Sequence, residues 1–233
     1  MNARNFIIRL SIKSLLLALI ALYSAFAGAA VPIVVDTFAL PAAPTSKVAY
    51  GTLLSSTHQV AFNNLASSIL GGIRGTTFNV YSDPLKSISA VSVGRGTLSV
   101  AQGTGAMAET LIAYGAFTRP QPNVGGPLLN LDLSTYDGLQ LDFSGAEDGM
   151  NINVVYYTSS PLNQDSPLYY ATNGVNIAPP TAGGPLSFVL GFDKVAHADF
   201  NWSHVDGIIV VINRSGPIPH TSYTLDKLTL VSK

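Results

Sequence analysis

Two short polar sets are placed where they could hold a ligand. Gln140 and Asp142 alternate with Leu139, Leu141 and Phe143, and Asn151, Asn153 and Tyr157 alternate with Ile152, Val154 and Tyr156. Alternation puts each set on the face opposite its apolar neighbours. Planar amides and carboxylates grip hydroxyl groups, and aromatic rings offer a flat face to the C–H side of a sugar ring. Tyr170, beside Tyr169, and Trp202, the one tryptophan, would add aromatic surface from neighbouring segments. The two sets make one surface only if their strands pair side by side. The same residues also suit an ordinary solvated sheet face with tyrosines packing its rim, and the sequence leaves both readings open.

Catalytic constellations are weak. Asp142 and Glu147-Asp148 supply nearby carboxylates, of the sort that glycosidases hold about 5 to 9.5 Å apart, but Glu147-Asp148 lies in a Gly-flanked turn. The run DKVAHADFNWSHVD holds Asp193, His197, Asp199, His204 and Asp206 without the H-E-x-x-H spacing of a zinc helix. No G-x-S-x-G elbow occurs. A non-catalytic module is expected.

The elements that would position these residues read as β-strands. From Leu128 to Thr158, Leu129, Leu131 and Leu133 alternate with polar neighbours. A turn signal follows at Asp137-Gly138, and alternation resumes at Leu139, Leu141 and Phe143. A second turn, Ser144 to Gly149, leads to Ile152, Val154 and Tyr156. Leu186, Phe188, Leu190 and Phe192 alternate strictly. GIIVVIN, from Gly207, is a continuous apolar run of the kind that forms a strand buried on both faces. The last strand, Tyr223 to Val231, changes phase near Asp226, which predicts a β-bulge. Residues 48–70 fit neither period and read as irregular or edge structure. With no long helix, repeat or linker, residues 31–233 are expected to form one all-β sandwich of about eight to ten antiparallel strands.

Residues 1–30 read as an export signal. Arg4, Arg9 and Lys13 precede the apolar run SLLLALIALYSAFAGAA, and Ala27-Gly28-Ala29 fits the A-x-A cleavage pattern. The run is shorter than the ~20 residues that a spanning helix needs, so a periplasmic or extracellular product without a membrane span is expected. The chain has 12 basic and 13 acidic residues. Removing the three leader cations leaves 9 against 13, a net charge of about −4. No basic stripe is present to engage nucleic acid. Cysteine is absent, which excludes disulfides, thiolate metal sites and lipid attachment through a thiol. The domain must hold together through its core.

Several motifs occur in a recognisable order: Asp36 and Phe38 in D-x-F, ILGGIRGTTFNV, LDLSTYDGLQLDFSG followed by NINVVYYT, Phe188 and Phe192, ADFNWSHVDGIIVVI, and a closing Y-x-L-D-x-L. This order resembles the jelly-roll, galactose-binding-like and carbohydrate-binding-module-like domains of exported bacterial proteins. It is similar to those carrying a Pro-Glu-Pro sorting tail, although this sequence ends at KLTLVSK without such a tail. The resemblance implies a jelly-roll-type sandwich and a glycan or polysaccharide partner on an exposed sheet face or rim loops. Some such domains hold a structural calcium between their first and last strands, which makes Asp36 and Asp226 candidate metal ligands. Backbone carbonyls would have to supply most of the six to eight oxygens. A structural or adhesive surface or matrix protein without a small ligand is the alternative, and a polysaccharide hydrolase or lyase a more distant one.

Overall fold

A computed structural model describes residues 30–39, 46–48, 53–59, 69–115, 128–159, 168–195, 200–213 and 221–232. Residues 1–29 of the predicted leader lie outside the described residues, as do His197 and Asp199. Among the described residues the strands are β1 (Ile33–Asp36), β2 (Ser46–Val48), β3 (Leu53–Gln59), β4 (Ile73–Ser82), β5 (Ser89–Gly94), β6 (Thr97–Ala101), β7 (Met107–Gly115), β8 (Tyr136–Ala146), β9 (Asn151–Ser159), β10 (Leu168–Asn176), β11 (Gly184–Gly191), β12 (Gly207–Ile212) and β13 (Ser222–Ser232). They form two antiparallel sheets. Sheet A runs β11-β8-β13-β6-β5-β2, with β1 added on β13, and sheet B runs β10-β9-β12-β7-β4-β3. The architecture is the all-β antiparallel sandwich that the alternation predicts, of the jelly-roll type that the resemblance implies, with thirteen strands among the described residues where about eight to ten were expected.

Period-two alternation decides what lies between the sheets. Ile152, Val154 and Tyr156 of β9 and Leu139, Leu141 and Phe143 of β8 meet in one buried cluster that extends from Val35 to Leu230. All six residues of β12 are buried, as its unbroken apolar sequence requires. The illegible stretch after Val48 has a plain cause. β2 and β3 are the outermost strands of their sheets, and an edge strand carries a weak burial signal. Asp226 is skipped between Leu225, paired with Phe143, and Lys227, paired with Asp142, so the predicted bulge is present.

Two local expectations are corrected. Leu129, Leu131 and Leu133 do not form a sheet strand. Their backbone N–H groups bond instead to Asp206, Val205 and Trp202 in the segment before β12. Asp137-Gly138 is not a turn but lies inside β8. A Cβ on Gly138 would run into the Leu190 carbonyl, so glycine there permits close approach of β11. The turn comes earlier, where Asp132 Oδ1 accepts from Ser134 N at 2.9 Å and Ser134 Oγ at 2.6 Å.

A buried charge ties the sheets together. Asp36, on β1 of sheet A, and Arg74, on β4 of sheet B, are both fully buried. Arg74 Nη1 donates to Asp36 Oδ1 at 3.0 Å and Oδ2 at 2.8 Å, and Tyr114 OH donates to Oδ2 at 2.9 Å. The Phe38 N–H adds a fourth bond at 2.7 Å, and the guanidinium lies 5.4 Å from the Phe38 ring centroid. Arg74 and Tyr114 are direct cross-strand partners. Burial pushes the Asp36 carboxyl above its usual range, while the Arg74 charge and these hydrogen bonds pull it back. A second tie crosses the core, from the Tyr223 hydroxyl of β13 to Thr110 Oγ1 of β7.

Removing one member of such a pair strands the other. Arg74→Leu should cost about 3–5 kcal/mol in urea unfolding, and Asp36→Leu combined with Arg74→Leu should recover most of that loss. Additive losses in the double variant would contradict a paired unit. Burial also raises the Tyr114, Tyr156 and Tyr223 hydroxyls above the ordinary tyrosine value. Their folded pKa values exceed the unfolded one of about 10, so their stabilisation is fully present below that pH and is lost as pH climbs past it. In an alkaline titration, exposed tyrosines should ionise with the fold intact, and these three only as the near-UV circular dichroism collapses. Complete tyrosinate formation in a folded protein would contradict this.

Candidate functional site: the outer face of sheet B

Strand register arranges the outer face of sheet B in transverse rows. At one end Asn176 of β10 opposes Asn151 of β9, and Glu109 of β7 opposes Asn79 of β4. Asn213 lies between these pairs. It follows Ile212, whose partners are Ile152 on β9 and Thr110 on β7. Five neighbouring strands thus contribute Asn176, Asn151, Asn213, Glu109 and Asn79 to one line, about 19 Å long at the usual strand spacing. The next row carries Gly174, Asn153, Val211, Leu111 and Thr77.

The amides partly satisfy one another. Asn151 Nδ2 donates to Asn176 Oδ1 at 2.7 Å, and Asn153 Nδ2 donates to Asn151 Oδ1. Asn213 Oδ1 accepts from Asn151 N at 3.2 Å, which fixes the orientation of its amide. Two polar atoms are left over. Glu109 is 8% exposed with Oε2 buried and unpartnered, and Asn213 is 1% exposed with Nδ2 in the same state. Such atoms cost about 1–3 kcal/mol each when nothing meets them.

Beyond the polar rows the face turns apolar. Val211, Ile209 and Ala113 are buried there, with Leu111, Val155 and Tyr157 packed around them. Tyr157 opposes Gly207 of β12, which in turn opposes Gly115 of β7. Gly115 has φ +87°, and a Cβ on it would meet the Asp206 carbonyl, so glycine is required. Tyr157 lies six residues, about 20 Å, along β9 from Asn151.

The sequence-predicted residues divide between the two sides of the molecule. Asn151, Asn153 and Tyr157 share this face. Tyr170 is the backbone partner of Tyr157, and its side chain lies outside the described residues. Gln140 and Asp142 belong to β8 in the other sheet, so the single surface combining both sets does not form. There Asp142 Oδ1 accepts from Gln140 Nε2 at 2.8 Å and Ser187 Oγ at 2.5 Å, an internally satisfied group. The outer face of sheet A also carries a trough of about 450 Å³ floored by Ser92, Ser99, Ala101, Ser222 and Thr224, with Glu147 among its lining residues.

Trp202 packs rather than projects. It stacks on Phe192 at 4.2 Å between centroids and meets Phe200 and Tyr156 edge-on at 4.8 and 5.1 Å. Asp36 and Asp226 do not fit a shared calcium site. Asp36 spends both oxygens on an internal cation that would repel a metal ion, whereas Asp226 accepts from the exposed Ser144 Oγ at 2.8 Å on the solvent side of sheet A. Among the described residues no group of three or more potential metal-ligating side chains occurs. His204 Nε2 lies 3.4 Å from Asp206 Oδ2.

The sequence reading passed over Asn79, Glu109, Asn176 and Asn213. Glu109 carried a usable signal, as the one carboxylate in the otherwise uncharged strand M-A-E-T-L-I-A-Y-G. The others depend on register. Because Trp202 is a packing residue, Trp202→Ala should lower stability by about 3–5 kcal/mol in urea unfolding. A change near zero would mean that the ring is a free platform.

No protein-family model matches this sequence, and no curated protein matches it significantly. Among the solved structures similar to it are carbohydrate-binding modules. A family 11 carbohydrate-binding module from Clostridium thermocellum, in complex with a β-1,3-1,4-mixed-linked tetrasaccharide, is 9% identical, with a TM-score of 0.42 over 86% of this chain and 95% of that one. The solution structure of CtCBM11 gives 10% identity and a TM-score of 0.43 over 89% and 99%. TmCBM27, a module described for specific mannan recognition, gives 13% and 0.27 over 83% and 99%.

Proposed function

We propose that this chain is an exported, non-catalytic module that binds an extended glycan on the outer face of sheet B. The observation that carries the proposal is the line of four asparagines and one glutamate drawn from five adjacent strands, with two buried polar atoms unspent. Planar amides in a row meet hydroxyls repeated along a polymer. The apolar strip of Val211, Leu111 and Val155 and the ring of Tyr157 suit the C–H faces of its sugars. The span of the row and the separation of Asn151 from Tyr157, each about 20 Å, favour an extended chain over a lone monosaccharide.

Mixed-linked β-glucan and mannan, the ligands named for the similar modules, are the first probes, followed by a glycan array with and without calcium. Asn153→Ala and Tyr157→Ala should each weaken retention in affinity electrophoresis about tenfold, a loss of about 1.4 kcal/mol. Gln140→Ala and Asp142→Ala should leave it unchanged. Retention that survives the first pair and fails with the second would move the site to sheet A.

The mutually satisfied Gln140, Asp142 and Ser187 on sheet A favour a second reading, a structural or adhesive protein without a small ligand. A blank array together with concentration-dependent self-association in sedimentation would support it.

A further inference from the structure

The two unspent atoms say what kind of group belongs between them. Glu109 Oε2 accepts only, and Asn213 Nδ2 donates only. They sit on adjacent strands in neighbouring register, since Ile212 opposes Thr110. The amide cannot swap ends, because its oxygen is held by the Asn151 N–H. A partner satisfying both must donate and accept from one small group. An ammonium would meet Glu109 but face the Asn213 N–H. A carboxylate or sulfate would meet Asn213 but face the Glu109 charge at a position 8% exposed, where solvent screens it little. A metal ion would likewise be repelled by the amide hydrogens. A neutral hydroxyl satisfies both atoms at once.

We propose that Glu109 and Asn213 form a hydroxyl-reading subsite that restricts the sheet-B face to neutral glycans and rejects uronic-acid or sulfated ones. The subsite rests on the glycan-binding reading above and adds selectivity to it. Glu109 is the selecting residue, because its charge is what an acidic sugar would meet. Nothing else on the row carries charge. Asn79, Asn151, Asn176 and Asn213 are all amides.

The test is affinity electrophoresis of the full chain in gels containing a neutral β-glucan or polygalacturonate, with the parent protein, Glu109→Gln and Glu109→Leu. The parent should be retarded by the neutral polymer alone. Glu109→Gln should weaken that retardation about tenfold, the usual scale for losing a charged hydrogen bond, and should gain retardation by polygalacturonate. Glu109→Leu should show no retardation in either gel. It should also melt at or above the parent temperature, because it removes a buried oxygen that nothing in the fold meets. A lower melting temperature for Glu109→Leu would make Glu109 a structural residue and overturn the subsite. So would a parent retarded equally by both polymers, or a Glu109→Gln variant with unchanged preference. In each of those cases retardation of the parent would leave the glycan reading standing. A parent retarded by neither gel, and by no polymer on a wider panel, would overturn both.

Discussion

The Asp36–Arg74 pair is the constraint on which the rest of the sandwich depends. A guanidinium with no exposure must have its charge met inside the protein, and Asp36 is the carboxylate that meets it. Asp36 belongs to sheet A through the pairing of β1 with β13, while Arg74 and Tyr114 sit side by side in sheet B. The contact therefore specifies how the sheets face each other in a protein that has no disulfide to do so. It also specifies register. A one-residue slip of β4 or β7 would turn Arg74 or Tyr114 out to water and turn Asn79 or Glu109 into the core. The polar row outside is thus held in place by the ion pair inside.

That arrangement leaves the two outer faces in different states. On sheet A Gln140 and Ser187 both donate to Asp142 and Ser144 donates to Asp226, with Thr229 Oγ1 left unmet. On sheet B the asparagine ladder runs short, with Glu109 Oε2 and Asn213 Nδ2 unmet. Folding stability alone would favour apolar replacements at such atoms. Their place beside the buried Val211 and Ile209 is the observation on which the proposed recognition surface rests.

Much of the fold was legible because alternation is a local signal. Leu139, Leu141 and Phe143, the strict repeat from Leu186 to Leu190, the unbroken GIIVVI of β12 and the phase slip at Asp226 all kept the roles that their spacing implies, whereas Phe192, the last of that repeat, begins a short 3-10 helix after β11. The site was half legible for the same reason. Alternation puts Asn151, Asn153 and Tyr157 on one face, but it cannot say which strand lies beside β9. The chain crosses from sheet A to sheet B between Ala146 and Asn151, so Gln140 and Asp142 face away from them. Glu109 and Asn79 joined the row through the pairings of β12 with β7 and of β7 with β4, between strands far apart in sequence, and Asn176 through the register of β10 on β9, none of which a local pattern encodes. Asp137-Gly138 misled because a glycine admitting a neighbouring strand looks in sequence like a glycine in a turn.

The most direct test of a sheet-B recognition face is the mapping of backbone and side-chain amide shifts by nuclear magnetic resonance as a neutral β-glucan oligosaccharide is added. The side-chain amides of Asn79, Asn151, Asn153, Asn176 and Asn213 and the backbone amides of Glu109 and Tyr157 should move together and saturate along one binding curve. Shifts gathered instead around Ser99, Thr224 and Glu147 on sheet A, or spread without saturation, would contradict it.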